Sequence, residues 1–346
     1  MKLALIAFTK KGGTLARELA SGLMERGDTC TLALPERLAS QLGEQSYESL
    51  ERWTKNAFET ADGLLFVGAC GIAVRAIAPF VKDKFSDPAV VSCDEGGAWA
   101  VPLLSGHVGG ANALAKRVAE CTGGRAAIST ATDVNGLFAV DEWAVCQGLY
   151  LDSRTLAKKV SAALLDGDTV GYASIFALQG TLPQGVELGQ HSLGFAVTLD
   201  DKSAPFTETL HLIPKMLHLG IGCRRGTSLE AIEQAVDAVL AEHHLSQWAV
   251  KTAETINLKQ DEAGLLAFCA KRNLPLNCHS AEELAALSGE FTPSAFVKET
   301  TGVDNVCERA AVLGGGRLLV KKQGRDGVTV AVAAEEYTVS FEGEPE

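Results

Sequence analysis

The stretch Lys2-Leu-Ala-Leu-Ile-Ala-Phe8, followed by Thr9-Lys-Lys-Gly-Gly13, sets the fold class of the first part of the chain. A short apolar run bounded by a polar, Gly-containing turn is typical of a buried strand. In residues 14–26 apolar side chains recur at helical spacing, and Thr29–Leu34 is again apolar and β-branched. The pattern is therefore strand, loop, helix, strand, which is the opening of an α/β fold.

The same alternation continues to about residue 130. Strands are predicted at Gly63–Val67, Ala89–Cys93 and residues 98–104, and helices at residues 72–80 and 109–121. This order predicts a parallel sheet covered by helices on both faces. Ligands of such sheets bind beyond the carboxyl ends of the strands, so chemistry is expected there.

Three domains are predicted. They are an N-terminal, Rossmann-like parallel-sheet α/β domain at residues 1–130, a smaller α/β middle segment at 131–215, and a C-terminal α/β domain at 216–346. The middle segment shows one clear helix, at residues 152–165, and strands near 169–175 and 193–199. A new strand–helix pattern begins at Leu217, with helices predicted at residues 228–243, 262–273 and 305–313.

Charge restricts the partners. The 346 residues carry 43 Asp and Glu against 31 Lys and Arg, a net charge of -12. Nucleic acids and anionic membrane surfaces are bound by clustered basic charge, so the composition argues against both as partners. The excess lies outside the first domain, because segments 1–130, 131–215 and 216–346 carry charges of 0, -5 and -7. A small anionic ligand of the N-terminal domain therefore stays compatible with the composition.

Hydropathy and cysteine usage indicate a cytoplasmic protein. The longest stretch without Asp, Glu, Lys or Arg, residues 96–115, is too rich in glycine and polar side chains for a membrane span. The nine cysteines are scattered and no two form C-x-x-C, so neither a disulfide framework nor a zinc ribbon is predicted.

The densest group of reactive side chains lies between Cys93 and Asn112. Asp94 and Glu95 occupy a Gly-rich turn, and one strand later the loop Ser105-Gly-His-Val-Gly-Gly110 opens a helix. Backbone N–H groups at a helix start bind carboxylates or oxyanions, and an imidazole deprotonates water near neutral pH. His107 is thus a candidate base, with Asp94 or Glu95 fixing its tautomer if the loops converge. The alternative is a histidine that only caps the helix or packs the loop.

Four other candidate site residues can also be explained by structural roles. Ser105 lacks the G-x-S-x-G context of a nucleophile, and Cys93, at a strand end, is typical of a small buried hydrophobe. Arg75, one turn into a helix, suits a bidentate carboxylate contact or a surface salt bridge. Asp133 is a pocket acid or a turn cap.

Nucleotide cofactors are not indicated. In Gly220-Ile-Gly-Cys-Arg-Arg-Gly226 the glycines are spaced one residue off the dinucleotide fingerprint, and no segment matches a phosphate-binding P-loop. NAD and ATP are therefore not expected. The segment around Lys298 either contacts a ligand or simply forms a capped helix start.

Several motifs carry a family resemblance. In the first half they are Val67-Gly-Ala-Cys-Gly-Ile-Ala-Val-Arg-Ala-Ile-Ala-Pro79, Pro102-Leu-Leu-Ser-Gly-His-Val-Gly-Gly-Ala-Asn112 and Ala131-Thr-Asp133. In the second half they are Leu219-Gly-Ile-Gly-Cys-Arg-Arg-Gly-Thr227, Phe296-Val-Lys-Glu-Thr-Thr-Gly-Val303 and Lys321-Lys322. Together they resemble the CbiG family of cobalt-precorrin-5A hydrolases in anaerobic cobalamin biosynthesis. The resemblance covers nearly the whole chain and implies a C-terminal domain of the CobE-like type.

The resemblance implies a hydrolase that opens the δ-lactone of cobalt-precorrin-5A and releases acetaldehyde, giving cobalt-precorrin-5B. Water must attack an acyl carbon, an oxyanion must be stabilised, and a carbon–carbon bond must break with proton transfer. His107 as base, the N–H groups of Gly109 and Gly110 as oxyanion donors, and Asp94 or Glu95 as the orienting acid would meet these needs. An alternative role for His107 is axial ligation of the cobalt.

The resemblance also implies the ligand and its contacts. Cobalt arrives within the corrinoid substrate, so neither a cofactor nor a protein-bound metal is expected. Other expected partners are cobalamin-pathway enzymes in transient contact and a second copy of the chain in a homodimer. The alternatives are a non-catalytic corrinoid carrier and an α/β enzyme acting on another small anion. The expected substrate-binding residues are Gly68, Gly71, Arg75, Ser105, Gly106, Gly109, Gly110, Asn112, Asp133, Gly222, Arg224 and Lys298.

Overall fold

The computed structural model describes residues 1–83, 86–106, 109–130 and 136–341, apart from the side chain of Phe296. The chain divides into unit 1, Met1–Leu137, and unit 2, Phe138–Glu346. The three predicted domain boundaries stay predictions. Among the described residues, no helix has the length and apolar character needed to cross a membrane.

Unit 1 is built on one large sheet. Within the described residues it has seven strands in the order β3-β2-β1-β4-β5-β6-β7. Strands β1 to β5 run parallel, which confirms the predicted α/β class. The strands are β1 Lys2–Ala7, β2 Thr29–Leu34, β3 Gln45–Ser46, β4 Gly63–Val67, β5 Ala89–Cys93, β6 Trp99–Leu104 and β7 Arg125–Ala126.

Strand β6 departs from the fully parallel sheet that the alternation predicts. It pairs antiparallel with β5, and β7 runs parallel to β6. Only residues 94–98 connect β5 to β6, whereas a parallel connection needs a crossover of about a dozen residues or more. The chain therefore reverses in a short turn, and the carboxyl end of β6 lies at the amino edge of the parallel strands.

Helices cover both faces of this sheet. Residues of α1 and α5 pack on one face, and residues of α3 and α4 on the other. Helix α1 begins earlier than the helix predicted from residue 14, because the Thr9 hydroxyl caps it by accepting from the Gly12 N–H at 3.0 Å. The sequence pattern does not predict α2 and α3. The helices are α1 Lys10–Met24, α2 Glu36–Leu42, α3 Leu50–Thr60, α4 Cys70–Ile77 and α5 Ala111–Thr122.

The first part of unit 2 carries a smaller sheet in the order β11-β9-β12-β13-β8. The helix and the two strands predicted for the middle segment correspond to α7, β9 and β12. An aromatic cluster of Phe138, Trp143, Phe195 and Phe341 fills its core. The elements are α6 Val140–Cys146, β8 Leu149–Leu151, α7 Arg154–Leu165, β9 Val170–Ser174, β10 Ala177–Gln179, β11 Val186–Glu187, β12 Leu193–Val197 and β13 Glu208–Pro214.

The C-terminal sheet of unit 2 has the order β16-β15-β14-β18-β17. Strands β14, β15 and β16 are parallel, and β18 is antiparallel to β14. Residues of α8 and α9 pack on one face and residues of α12 on the other. The strands are β14 Leu217–Cys223, β15 Val250–Ile256, β16 Leu276–His279, β17 Arg317–Arg325, β18 Val328–Ala334 and β19 Thr338–Ser340, and the helices are α8 Leu229–Glu242, α9 Ala263–Arg272, α10 Ala281–Ala286, α11 Ala295–Thr301 and α12 Cys307–Gly314.

Candidate functional site

The predicted carboxylates lie at the carboxyl edge of the unit 1 sheet, beyond β5. Asp94 Oδ1 accepts from the Gly96 N–H at 2.8 Å, and Oδ2 accepts from the Trp99 N–H at 2.6 Å. Glu95 Oε1 accepts from the Thr9 hydroxyl at 2.6 Å. Both carboxylates therefore bind the protein itself: Asp94 closes the turn between β5 and β6, and Glu95 joins that turn to the start of α1.

Gly68, Gly71 and Arg75 lie at the same edge. The Gly68 N–H donates to the Cys93 carbonyl at 2.7 Å, which ties the end of β4 to the end of β5. Arg75 donates to the Gly71 carbonyl at 3.2 Å, within its own helix, and its side chain is exposed. The position suits contact with an anionic ligand at the strand ends.

The glycine-rich loop after β6 lies at the opposite edge. Ser105 is buried and its hydroxyl donates to the Asp87 carbonyl at 2.9 Å, at the amino end of β5. The Ser105 hydroxyl is therefore engaged by a main-chain carbonyl and is not available as a nucleophile. A Cβ at Gly109 would lie 2.3 Å from Ser105 Cβ, and one at Gly106 would lie 2.9 Å from Asn112 Oδ1. Glycine at both positions lets the loop fold tightly onto the start of α5.

Asn112 joins two segments at this second edge. It is 3% exposed, its N–H donates to the Gly106 carbonyl at 2.9 Å, and its Nδ2 donates to Thr130 Oγ1 at 3.1 Å. Gly110, with φ 82°, is the N-cap residue of α5. The loop that begins at Ser105 and the segment that ends at Thr130 thus come together. His107 and Asp133 lie outside the described residues.

The structure separates the two predicted groups. Five residue steps along β6, at about 3.3 Å each, place roughly 16 Å between the turn at Asp94 and the loop at Ser105. Asp94 and Glu95 therefore do not converge with Ser105, Gly106, Gly109 and Gly110. The sequence pattern suggested convergence because it implied a β6 parallel to β5, whose carboxyl end would have met the others.

The candidate residues of unit 2 lie in its C-terminal portion. A Cβ at Gly222 would lie 2.5 Å from Thr329 Oγ1, so this glycine serves strand packing. Arg224 is exposed in the loop after β14, and Lys298 is exposed on α11. The Gly226 N–H donates to Glu262, which holds this loop and lowers the pKa of the Glu262 carboxyl.

The role of Asp94 gives a stability prediction. Asp94→Ala should destabilise unit 1 by about 1 to 2 kcal/mol, because two backbone N–H groups lose a charged acceptor. Urea unfolding followed by hydrogen exchange of the unit 1 amides would measure the change. Asp94→Asn keeps one acceptor oxygen and should lose about half as much. Equal stability of Asp94→Ala and wild type would show that the turn does not depend on this carboxylate.

Three family models match consecutive parts of the chain. "Cobalamin synthesis G N-terminal" matches residues 52–133, "Cobalamin biosynthesis central region" matches 138–214, and "Cobalamin synthesis G C-terminus" matches 217–333. The cobalt-precorrin-5A hydrolase of Salmonella typhimurium is 33% identical over 350 residues, covering 95% of this chain and 97% of the relative.

The chain belongs to the CbiG family. The resemblance stated from the sequence motifs is thereby confirmed.

Two further relatives match this CbiG chain over different lengths. The cobalt-precorrin-5A hydrolase of Priestia megaterium is 32% identical, over 96% of this chain and 95% of the relative. "Protein CobE" of a Sinorhizobium species is 29% identical over 34% of this chain and 79% of its own length. The match to CobE thus covers about a third of this chain.

Two solved structures are similar to this chain. A cobalamin biosynthesis protein G homolog from Sulfolobus solfataricus has 19% identity and a TM-score of 0.44, covering 97% of each chain. A crystal structure of CobE has 34% identity and a TM-score of 0.33, over 35% of this chain and 92% of that chain.

Some contacts in this CbiG chain have no simple sequence signal. Thr9, which connects Glu95 to α1, reads only as a helix cap, and Thr130 only as a loop residue. In unit 2, His279 Nε2 lies 2.7 Å from a carboxylate oxygen of Glu254, 25 residues earlier. Strand alternation places both on one face, but only the sheet order makes them neighbours.

Proposed function

We propose that this CbiG-family chain is an enzyme, a cobalt-precorrin-5A hydrolase, that opens the δ-lactone of its corrinoid substrate and releases acetaldehyde. The observation that carries this function is the 33% identity with the Salmonella typhimurium hydrolase over 95% of this chain and 97% of that protein. Because the similarity extends over nearly the full length of both proteins, it favours hydrolase activity. A corrinoid carrier, or an enzyme that acts on another small anion, is less well supported.

We place the lactone chemistry of unit 1 at the edge with the glycine-rich loop. The first N–H groups of α5, those of Ala111 and Asn112, already donate to the Ser105 and Gly106 carbonyls, so we propose the N–H groups just before them for a developing oxyanion. The proposed donors are the N–H groups of Gly109 and Gly110. The proposed base is His107, two residues before Gly109 in the sequence. Asp94 and Glu95 are not part of this proposal, because their contacts are structural.

The proposed reaction has two proton-transfer stages. His107 first takes a proton from water as its oxygen attacks the lactone carbonyl, and the tetrahedral intermediate collapses with loss of the ring oxygen. The freed hydroxyl lies on the former bridging carbon. Loss of its proton forms the carbonyl of acetaldehyde while the bond to the macrocycle breaks. Cobalt enters as part of the substrate, and the proposal uses no cofactor.

Contacts to the substrate carboxylates are also proposals. Arg75, Arg224 and Lys298 are exposed cations suited to carboxylate groups. Gly68, Gly71, Gly222 and Asp133 stay proposed contacts from the family resemblance. A homodimer, transient contact with other enzymes of the pathway and a cytoplasmic location belong to the same proposal; the scattered cysteines support the location.

The test is the variant His107→Ala. We expect acetaldehyde release from the lactone to fall by about 100-fold or more, because a general base is lost, while corrinoid binding is retained. Acetaldehyde would be measured by coupled reduction, and binding by the change in the corrinoid absorption spectrum.

His244→Asn is the matched control. The His244 side chain is 77% exposed and lies in unit 2, and its φ of 53° is one that Asn tolerates. It should leave the rate unchanged. Equal rates for His107→Ala and wild type would exclude His107 as the base. Corrinoid binding without acetaldehyde above the spontaneous rate in wild type would favour the carrier.

A further inference from the structure

Unit 2 contains a buried carboxylate that the steps assigned above do not use. Glu254, on β15, has no exposed surface. Its Oε1 accepts from the Thr252 hydroxyl and from Asn277 Nδ2, the latter at 2.9 Å, and its Oε2 lies 2.7 Å from His279 Nε2. Burial acts to raise the pKa of Glu254, but the hydrogen bonds from these groups and from His218 lower it. The carboxylate is therefore ionised in the folded protein.

His279 is the group that this carboxylate orients. It is the last residue of β16 and its side chain is 18% exposed. Because a carboxylate only accepts, Nε2 carries a proton, so in the uncharged tautomer of the ring the lone pair is on Nδ1. Nδ1 makes no hydrogen bond with any residue that the structure describes. A basic nitrogen opposite a nitrogen held by a carboxylate is the arrangement found in acid–base dyads.

The other side of Glu254 is closed. His218, 2% exposed, lies 2.6 Å from the Thr252 hydroxyl through Nδ1 and 3.1 Å from Glu335 through Nε2. A Cβ at Gly314 would lie 2.5 Å from Glu254 Oε1, so α12 ends directly against the carboxylate. These contacts fix Glu254 and, through it, the His279 ring. A preorganised ring of this kind reorganises little during proton transfer.

The dyad lies at a sheet edge with cationic side chains. Ile256 is in register with His279, and the carboxyl ends of β14, β15 and β16 share one edge. Two strand spacings place about 10 Å between the ends of β14 and β16. Exposed Arg224 and Arg225 follow β14, in the loop that Glu262 holds. This edge therefore offers a base together with contacts for substrate carboxylates.

We propose that His279, oriented by Glu254, is a proton-transfer residue for the carbon–carbon cleavage; this inference rests on the proposed function. The lactone-opened intermediate binds at this edge in a separate step, and Nδ1 takes the proton of the hydroxyl on its bridging carbon. The oxygen electron pair forms the carbonyl of acetaldehyde as the carbon–carbon bond breaks. The bonding pair passes to the macrocycle carbon, which takes the proton back from Nδ1. Glu254 is a positioning residue.

The first test separates the two stages in the variant His279→Gln. Lactone consumption should stay within about threefold of wild type, while acetaldehyde release should fall by about 100-fold. Mass spectrometry should detect a corrinoid heavier than the substrate by one water. Imidazole added to His279→Gly should restore part of the release, which a merely structural role would not permit.

Glu254→Gln tests the positioning role. It should lower acetaldehyde release by about 10-fold or more and change the pH profile of that step, with lactone consumption largely retained. His244→Asn is again the control. If a variant fails to fold, the nitrogen-15 shifts of histidines in the wild-type protein give the tautomer instead. A proton on Nδ1 of His279 would overturn the inference.

The outcomes distinguish the inference from the proposed function. Wild-type release of acetaldehyde with an equal rate in His279→Gln would overturn the inference and leave the proposed function in place. Lack of release by wild-type protein above the spontaneous rate would overturn the proposed function. Accumulation of unopened lactone in folded His279→Gln would place His279 in the first stage and contradict the assignment made here.

Discussion

Gly220→Ala is expected to prevent folding of the C-terminal sheet of unit 2. Gly220 lies within β14, and a Cβ there would be 1.8 Å from the Cys307 carbonyl oxygen and 3.0 Å from Ala311 Cβ. The first contact is with backbone, so no side-chain rotation relieves it. Moving α12 away would break the 3.0 Å bond from the Cys307 thiol to the Gly220 carbonyl and open the core that contains Ala311. We expect a loss of more than about 4 kcal/mol.

Soluble yield and hydrogen exchange of peptides from β14 and α12 would measure this effect. Gly324→Ala, in β17 of the same sheet, is the matched control, because the nearest atom to its Cβ would be 3.8 Å away. Gly222→Ala should fall between them, since its Cβ would meet a side-chain oxygen of Thr329 that can rotate. Native exchange protection in Gly220→Ala would show that α12 packs less closely than the structure indicates.

The same glycines show where sequence reasoning reaches its limit. The family resemblance implies a substrate contact at Gly222 only, whereas the structure also uses Gly220 and Gly222 to bring α12 and Thr329 close to β14. A glycine needed for backbone approach and one needed for a ligand give the same letter in a sequence. Only the position of α12, more than 80 residues later, distinguishes them.

Most of the sheet could nevertheless be predicted. Buried runs such as Gly63–Val67 and Ala89–Cys93 correspond to β4 and β5 because strands covered on both faces read as continuous apolar segments. The direction of β6 could not be read in this way. It depends on the length of the connection after Asp94, and that length changes which edge of the sheet carries the loop at Ser105.

The sequence predicted only part of the candidate site. Family motifs locate the loop at Ser105 and Asn112, and the structure adds the contact with Thr130. The dyad of His279 and Glu254 has no motif, because its partners lie on neighbouring strands and become adjacent only through sheet order. Long-range pairing of this kind is set by the packing of whole elements, which local propensity does not encode.

Glu308→Ala is expected to destabilise unit 2 by about 3 kcal/mol, because it removes a buried side chain whose oxygens accept three hydrogen bonds. Glu308 has no exposed surface. Its Oε1 accepts from the Thr292 hydroxyl at 2.8 Å and from the Lys322 N–H at 2.7 Å, and its Oε2 accepts from the Thr292 N–H at 2.7 Å. The carboxylate thus joins α12 to β17 and to the segment before α11.

Glu308→Ala is compared with Glu308→Gln, which keeps the side-chain shape, and with Glu299→Ala, which removes a glutamate at an exposed position. Glu308→Gln keeps Oε1 and its two donors but turns an amide donor toward the Thr292 N–H, so we expect a loss of about 2 kcal/mol. Glu299→Ala removes an exposed glutamate on α11 and should change stability by less than about 0.5 kcal/mol. Denaturant unfolding with hydrogen exchange of β17 and α12 would rank the three variants. Equal protection in Glu308→Ala and Glu299→Ala would mean that water satisfies the Thr292 and Lys322 donors once the carboxylate is gone, and would contradict the prediction.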